Sequence, residues 1–192
     1  ENAGAGVFMP RERDTNPIEI IADNDPGVQI RGKAEYSESG VWKDSGTGFA
    51  DTKEYYTGHD NPFREGTARS AACVPSAKGQ SAKAIWVPEI PARGEYAVYI
   101  SYKTLPNSTS AASYTVRHLG GETSFVVNQK CGGGTWIYLG TFEFGEGSEG
   151  AVILDNVCPG GHKFENGSVI TADAVKFGGG TGNIVRGPEG SE

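Results

Sequence analysis

From about residue 81 onward the chain alternates apolar and polar positions with a period of two, the mark of half-buried β-strands. In GEYAVYISYK, Tyr96, Val98, Ile100 and Tyr102 fall on one face and Ala97, Tyr99 and Ser101 on the other. SYTVRHLGGETSFVVNQ reads as a hairpin. Tyr114 and Val116 lead in, Gly120-Gly121 supplies the tight turn, and Phe125 and Val127 lead out. TWIYLGTFEFGEGSEGAVILDN reads as a second hairpin, with Trp136, Tyr138, Phe142 and Phe144 on one face and GEGSEG as its turn. SVITADAVKF is the closing strand, with Ile170, Ala172 and Ala174 opposite Thr171, Asp173 and Val175.

Before residue 81 the pattern is weaker. SGVWKDSGTGF and SAACVPSAKG contain short strand candidates, and helical periodicity is almost absent after Ala5. Many short strands, turn signals at roughly 8–12-residue spacing and few helices predict an all-β, antiparallel β-sandwich. Between the two early candidates lies ADTKEYYTGHDNPFREGTAR, polar with interspersed aromatics and no clear period. A loop longer than about 12–15 residues in a compact domain is often functional.

Composition narrows the function classes. The 192 residues suffice for one good core or one domain with tails. Seventeen Lys and Arg against 24 Asp and Glu leave a net charge of −7, and the basic residues are scattered. A nucleic-acid partner, which needs clustered cations, is therefore not expected. No apolar run approaches the roughly 20 residues of a membrane helix. Cys73, Cys131 and Cys158 form no CxxC pair, so a thiolate zinc site is not expected. One disulfide is possible among three pairings, and at least one thiol stays free.

The ordered blocks IIADNDPG, SGVW, AIWVPEIPARGEYAVYISY, SYTVRHLGGETSFVVNQ, GGTWIYLGTFEF, GAVILDN and VITADAVKFGGG resemble the golvesin C-terminal-like domain of proteins often labelled xanthan lyases. The resemblance implies a jelly-roll sandwich similar to galactose-binding-like carbohydrate modules. The opening ENAGAGVFMPRERDT looks like a helix end, a Gly turn and a short strand. It resembles a segment of the zinc-dependent N-acetylmuramoyl-L-alanine amidases, with Ala3-Gly4-Ala5, Val7-Phe8-Met9, Arg11 and Asp14 at matching positions. GGGTGNIVRG resembles the return into such a domain. These resemblances imply an insertion: residues 1–17 a short α/β stub of an amidase-like host, 18–178 the sandwich, 179–192 the return linker. The host's zinc ligands lie outside the matching segment, and His59, His118 and His162 are not in the family's zinc motifs. Zinc is thus expected in the host alone, with no cofactor in this chain. An extracytoplasmic location, in periplasm, at the cell surface or secreted, follows from the same resemblance.

No catalytic constellation is visible: no GxSxG elbow, no HExxH, no phosphate loop. Trp86 and Trp136, with Tyr96, Tyr102, Phe142 and Phe144, are expected in the core. Asp173, within an apolar strand, needs partners and is expected to be a hydrogen-bonded structural carboxylate. DNDPG reads as an Asx-capped turn, with Asp23, Asp25 and Asp173 as secondary candidates for a structural Ca²⁺. Trp42, Tyr55, Tyr56, His59, Asp60, Asn61, Phe63 and Arg64 combine aromatic faces with planar polar groups, the mixture that recognises sugars. The expected function is a non-catalytic module that binds glycan or positions its host on peptidoglycan. The alternatives are a purely structural or protein-docking insert, and a polysaccharide lyase in which Tyr56, His59 and Arg64 abstract a proton beside a uronate carboxylate.

Overall fold

The computed structural model describes residues 18–25, 32–51, 65–76 and 81–179. They form twelve strands and, among the described residues, no helix. These are β1 (Glu19–Asp23), β2 (Ala34–Ser39), β3 (Lys43–Asp51), β4 (Glu65–Ala72), β5 (Lys83–Pro88), β6 (Gly94–Ile100), β7 (Ala112–His118), β8 (Gly121–Val127), β9 (Ile137–Phe144), β10 (Ala151–Asp155), β11 (Val169–Ala172) and β12 (Ala174–Gly178). Five strands make one sheet, in the order β2-β5-β10-β7-β8. Four make a second, β1-β12-β6-β9, and three a smaller one, β11-β4-β3. All strand pairs are antiparallel. Since β11 and β12 are separated only by Asp173, the two smaller sheets are contiguous and together face the five-stranded sheet. The expected β-sandwich is what forms.

One core fills the space between the layers. Trp86 of β5 is 0% exposed and packs with Tyr36, Tyr96, Tyr114, Phe144, Leu154, Ile170 and Phe177 among others. The alternation of β6 holds as predicted, with Tyr96, Val98, Ile100 and Tyr102 in this core. The Gly120-Gly121 hairpin forms between β7 and β8 with Tyr114 opposite Phe125. A buried amide ties the layers together. Gln129 is 0% exposed and donates from Nε2 to the Tyr114 hydroxyl (2.9 Å) and the Thr171 carbonyl (2.8 Å), while its Oε1 accepts the Thr171 N–H (2.8 Å). In the closed layer each of these groups needs such a partner.

Three expectations are corrected. GEGSEG is not a hairpin turn: β9 pairs with β6, whereas β10 pairs with β5 and β7, so residues 145–150 cross between sheets. Ile90 and Gly147 exchange two main-chain hydrogen bonds of 2.9 Å that pin the crossing. The crossing lets Phe144 and Val152 enter the same core from opposite layers. Second, β9 does not keep one face. Its register against β6 slips between Val98 and Tyr99, since Gly140 opposes Val98 but Tyr138 opposes Tyr99. The extra residue, Leu139, is a bulge, and a one-residue insertion exchanges the faces of a strand. Phe142 and Phe144 pack on the core, while Tyr138 is exposed and Trp136 joins a second cluster with Ile21, Phe49 and Ala174. Trp136 is therefore not in the main core. Third, the closing strand changes phase at Asp173: Ile170, Ala172, Val175 and Phe177 face the core, and Ala174 turns to the second cluster.

Candidate functional site

The two phase changes create a face of their own. Ile21 alternates with core residues Ile20 and Ala22, so the second cluster lies on the outer side of the four-stranded sheet. Tyr138, 56% exposed, sits beside its cross-strand partner Tyr99 with ring centroids 5.3 Å apart and planes tilted by 49°. The Tyr138 hydroxyl shares a 2.8 Å hydrogen bond with the Thr141 hydroxyl. Trp136 meets Phe49 edge-on at 5.6 Å. Between the aromatics runs Lys176 of β12, 6% exposed, with Nζ 4.4 Å from the Tyr99 centroid and 5.1 Å from that of Trp136. A cation over two rings is attracted to both, which holds the planes of residues from separate segments in place. Burial, and then the neighbouring Tyr138, push the Tyr99 phenol above its ordinary pKa.

Beyond Phe49 this face opens into a cavity of about 230 Å³. Thr47, Gly48 and Phe49 of β3 form one wall, and Tyr102, Lys103, Thr104, Gly133 and Gly134 the other, with Asp173 between. Glycine is required at position 48, where a Cβ would lie 2.2 Å from the Thr67 carbonyl oxygen of β4. Asp173 is 1% exposed, and its Oδ2 accepts the Phe49 N–H at 2.7 Å. Its carbonyl accepts the Trp86 indole N–H and the Asn24 N–H, each at 3.2 Å. This is the hydrogen-bonded carboxylate expected from the sequence. On the other wall, the Thr104 hydroxyl donates to the Gln129 carbonyl (3.0 Å) and accepts the Gly133 N–H (3.1 Å), while Tyr102 donates to the Cys131 carbonyl (2.7 Å). Lys103 Nζ donates to the Ser45 carbonyl at 2.7 Å.

Of the residues singled out from the sequence, Asp173 stands between the cavity walls. Trp42 is half-buried against the main core and donates its indole N–H to the Ser39 carbonyl (3.0 Å). Tyr55, Tyr56, His59, Asp60, Asn61, Phe63 and Arg64 lie outside the described residues, between the paired strand ends Asp51 and Glu65. Asp23 caps the Asx turn by accepting the Asp25 N–H (2.9 Å), and Asp25 accepts both the N–H and the hydroxyl of Thr67. Among the described residues no group of three or more His, Cys, Asp and Glu is arranged to hold a metal. His118 stacks on Phe142 at 4.9 Å and hydrogen-bonds Thr123. All three thiols are free, with Cys73 raised in pKa chiefly by burial. Sequence reasoning put Tyr99 on the face away from Tyr96 and Val98 but missed Tyr138 as its exposed neighbour, because only the bulge at Leu139 reveals the side that Tyr138 takes.

Fold and face define an antiparallel β-sandwich domain with one aromatic sheet surface left open. The chain belongs to the Golvesin C-terminal domain family, whose model matches residues 28–179. It is 32% identical over 174 residues to the xanthan lyase of Bacillus sp. (strain GL1), covering 88% of this chain and 16% of the lyase. The chain thus spans about a sixth of that relative's length. Among solved structures it resembles Paenibacillus xanthan lyase with TM-score 0.59 and 24% identity, over 84% of this chain and 13% of that one. A weaker likeness is to CBM35 from Cellvibrio japonicus Abf62, with TM-score 0.43 and 14% identity over 88% and 98% of the two chains. No helix among the described residues is long and apolar enough to cross a membrane.

Proposed function

We propose that this domain binds glycan on the outer face of the four-stranded sheet and is a non-catalytic module of a larger, extracytoplasmic polysaccharide- or cell-wall-degrading enzyme. The observation that carries the reading is the open aromatic face formed by Tyr99, Tyr138 and Trp136. Sugar rings present C–H surface that stacks on such planes, and each Å² of apolar area removed from water contributes roughly 25 cal/mol. The lyase relatives give the first polymer to test, xanthan. The terminal resemblance gives the second, peptidoglycan, with an amidase-like host. Pairing of Glu19 with Gly178 supports the insertion, since both flanks then leave from neighbouring strands. The loop aromatics between residues 52 and 64 are a second place for the same ligand.

The test is retention of the protein on xanthan, cellulose and peptidoglycan, comparing the parent with Tyr138→Ala and with Tyr56→Ala. Retention lost in Tyr138→Ala and kept in Tyr56→Ala is expected. The opposite pattern moves the site to the loop. No retention on any polymer, confirmed on a wider glycan array, turns the domain into a structural or docking insert.

A further inference from the structure

The geometry points to a binding site in two parts, in which the cavity takes one sugar unit at a chain end or branch and the aromatic platform takes the units that follow. This rests on the glycan reading above and adds which part of a glycan is recognised. The first observation is size. At about 230 Å³ the cavity is smaller than the roughly 300–1,000 Å³ of pockets that enclose a drug-sized ligand. It has room for a single pyranose unit and not for an oligosaccharide.

The second observation is the division of chemistry. The cavity sets polar side chains within a largely apolar lining: Thr47 and Lys103 stand among its wall residues, and the Lys103 ammonium, which has three donors, spends one on Ser45. Gly133 and Gly134 carry no side chains to fill the space, and their N–H groups are held by the Thr104 hydroxyl (3.1 Å) and the Tyr102 carbonyl (3.1 Å), which fixes this wall. Such convergent polar groups orient hydroxyls around a ring. The platform is the reverse, with flat rings and few directional donors, and suits stacking without strict orientation. The third observation is continuity. Phe49 lines the cavity and contacts Trp136, and Lys176 links Trp136 to Tyr99, which lies beside Tyr138. A chain seated at one end in the cavity therefore runs onto rings that are already held in place.

The arrangement predicts how affinity grows with ligand length. We would titrate the protein calorimetrically with size-fractionated hydrolysates of xanthan, cellulose and peptidoglycan glycan strands, from one to six sugar units. In the parent a single unit binds weakly, and affinity rises about tenfold or more by three units and then levels off. Tyr138→Ala flattens that rise to less than about threefold. Thr47→Trp, which fills the cavity from an exposed strand position, removes single-unit binding and weakens every longer ligand. If Thr47→Trp lowers the melting temperature, Gly134→Asn narrows the opposite wall at a left-handed position that asparagine tolerates (φ +73°). Reducing-end or non-reducing-end modification of the trisaccharide should abolish binding at one end only. Binding that needs four or more units and ignores both cavity variants and both end modifications overturns the two-part site while leaving the glycan reading intact. Absence of binding to every ligand and polymer removes both.

Discussion

Replacing Asp173 with alanine separates a structural carboxylate from a ligand-binding one. The side chain is 1% exposed and its Oδ2 takes the Phe49 N–H at 2.7 Å, bridging the β11–β12 junction to β3. Alanine leaves that N–H buried without its acceptor. Hydrogen bonds to a charged group contribute roughly 1.5–3 kcal/mol, and a stranded buried donor costs about 1–3 kcal/mol. Removing the charge also removes the cost of holding it away from water, which offsets part of the loss. A net destabilisation of about 1–3 kcal/mol follows. For a chain of this size each kcal/mol lowers Tm by about 2–4 °C, giving a fall of roughly 2–12 °C. The Trp86 and Asn24 bonds go to the Asp173 carbonyl and persist in the variant, so the effect belongs to the carboxylate alone. Calorimetry measures Tm, and hydrogen exchange at the Phe49 amide reports the broken bond directly. Asp173→Asn, which keeps an oxygen, should fall between parent and alanine. An alanine variant that melts with the parent and keeps Phe49 protected, yet loses glycan binding, would refute this reasoning.

Gln129→Leu should cost more, about 3–5 kcal/mol in chemical denaturation, because Tyr114 and both main-chain groups of Thr171 lose their partner at once. A change under about 1 kcal/mol would mean that the amide is replaceable by packing. Tyr114 and Tyr36 both titrate well above the ordinary tyrosine value, chiefly because burial disfavours the phenolate. A pKa raised on folding leaves stability intact below the unfolded value near 10 and removes it as pH rises beyond. Absorbance titration of the native protein should therefore leave these phenols protonated until the fold is lost. Their ionisation near pH 10 with near-UV dichroism unchanged would contradict their burial. The isolated 192-residue chain should release no peptide from peptidoglycan, with or without added zinc, and zinc-dependent turnover would end the insertion reading.

Where alternation is unbroken the sequence is a good guide. Strands β6, β7 and β8 carry the predicted residues into the core because every second position is apolar and no residue is inserted. The carboxylate of Asp173 was legible for a related reason, since a charge inside an apolar strand demands a partner. Of the outer face, Tyr99 was legible from the alternation of β6, whereas Trp136 and Tyr138 were not. One inserted residue at Leu139 and one at the Asp173 junction change which side the following side chains occupy, and neither carries a composition signal. Reading through the bulge assigns Trp136 and Tyr138 to the side of Phe142 and Phe144, which hides the platform. The crossing at GEGSEG was missed because a glycine-rich connection between two alternating strands looks alike whether they pair or face each other across a core. Gln129 gave no warning either, as a single amide after an apolar strand reads as a loop residue.

The central claim, that this sheet face binds glycan, is tested most directly by isothermal titration of a retained polysaccharide into the parent and Tyr138→Ala proteins, with Tm measured in parallel. Tyr138 is 56% exposed, so its loss should leave Tm within about 2 °C, since surface changes alter stability by about 0.5 kcal/mol or less. Affinity should fall about tenfold or more, equivalent to about 1.4 kcal/mol. Equal affinity in the two proteins at unchanged Tm would contradict the account.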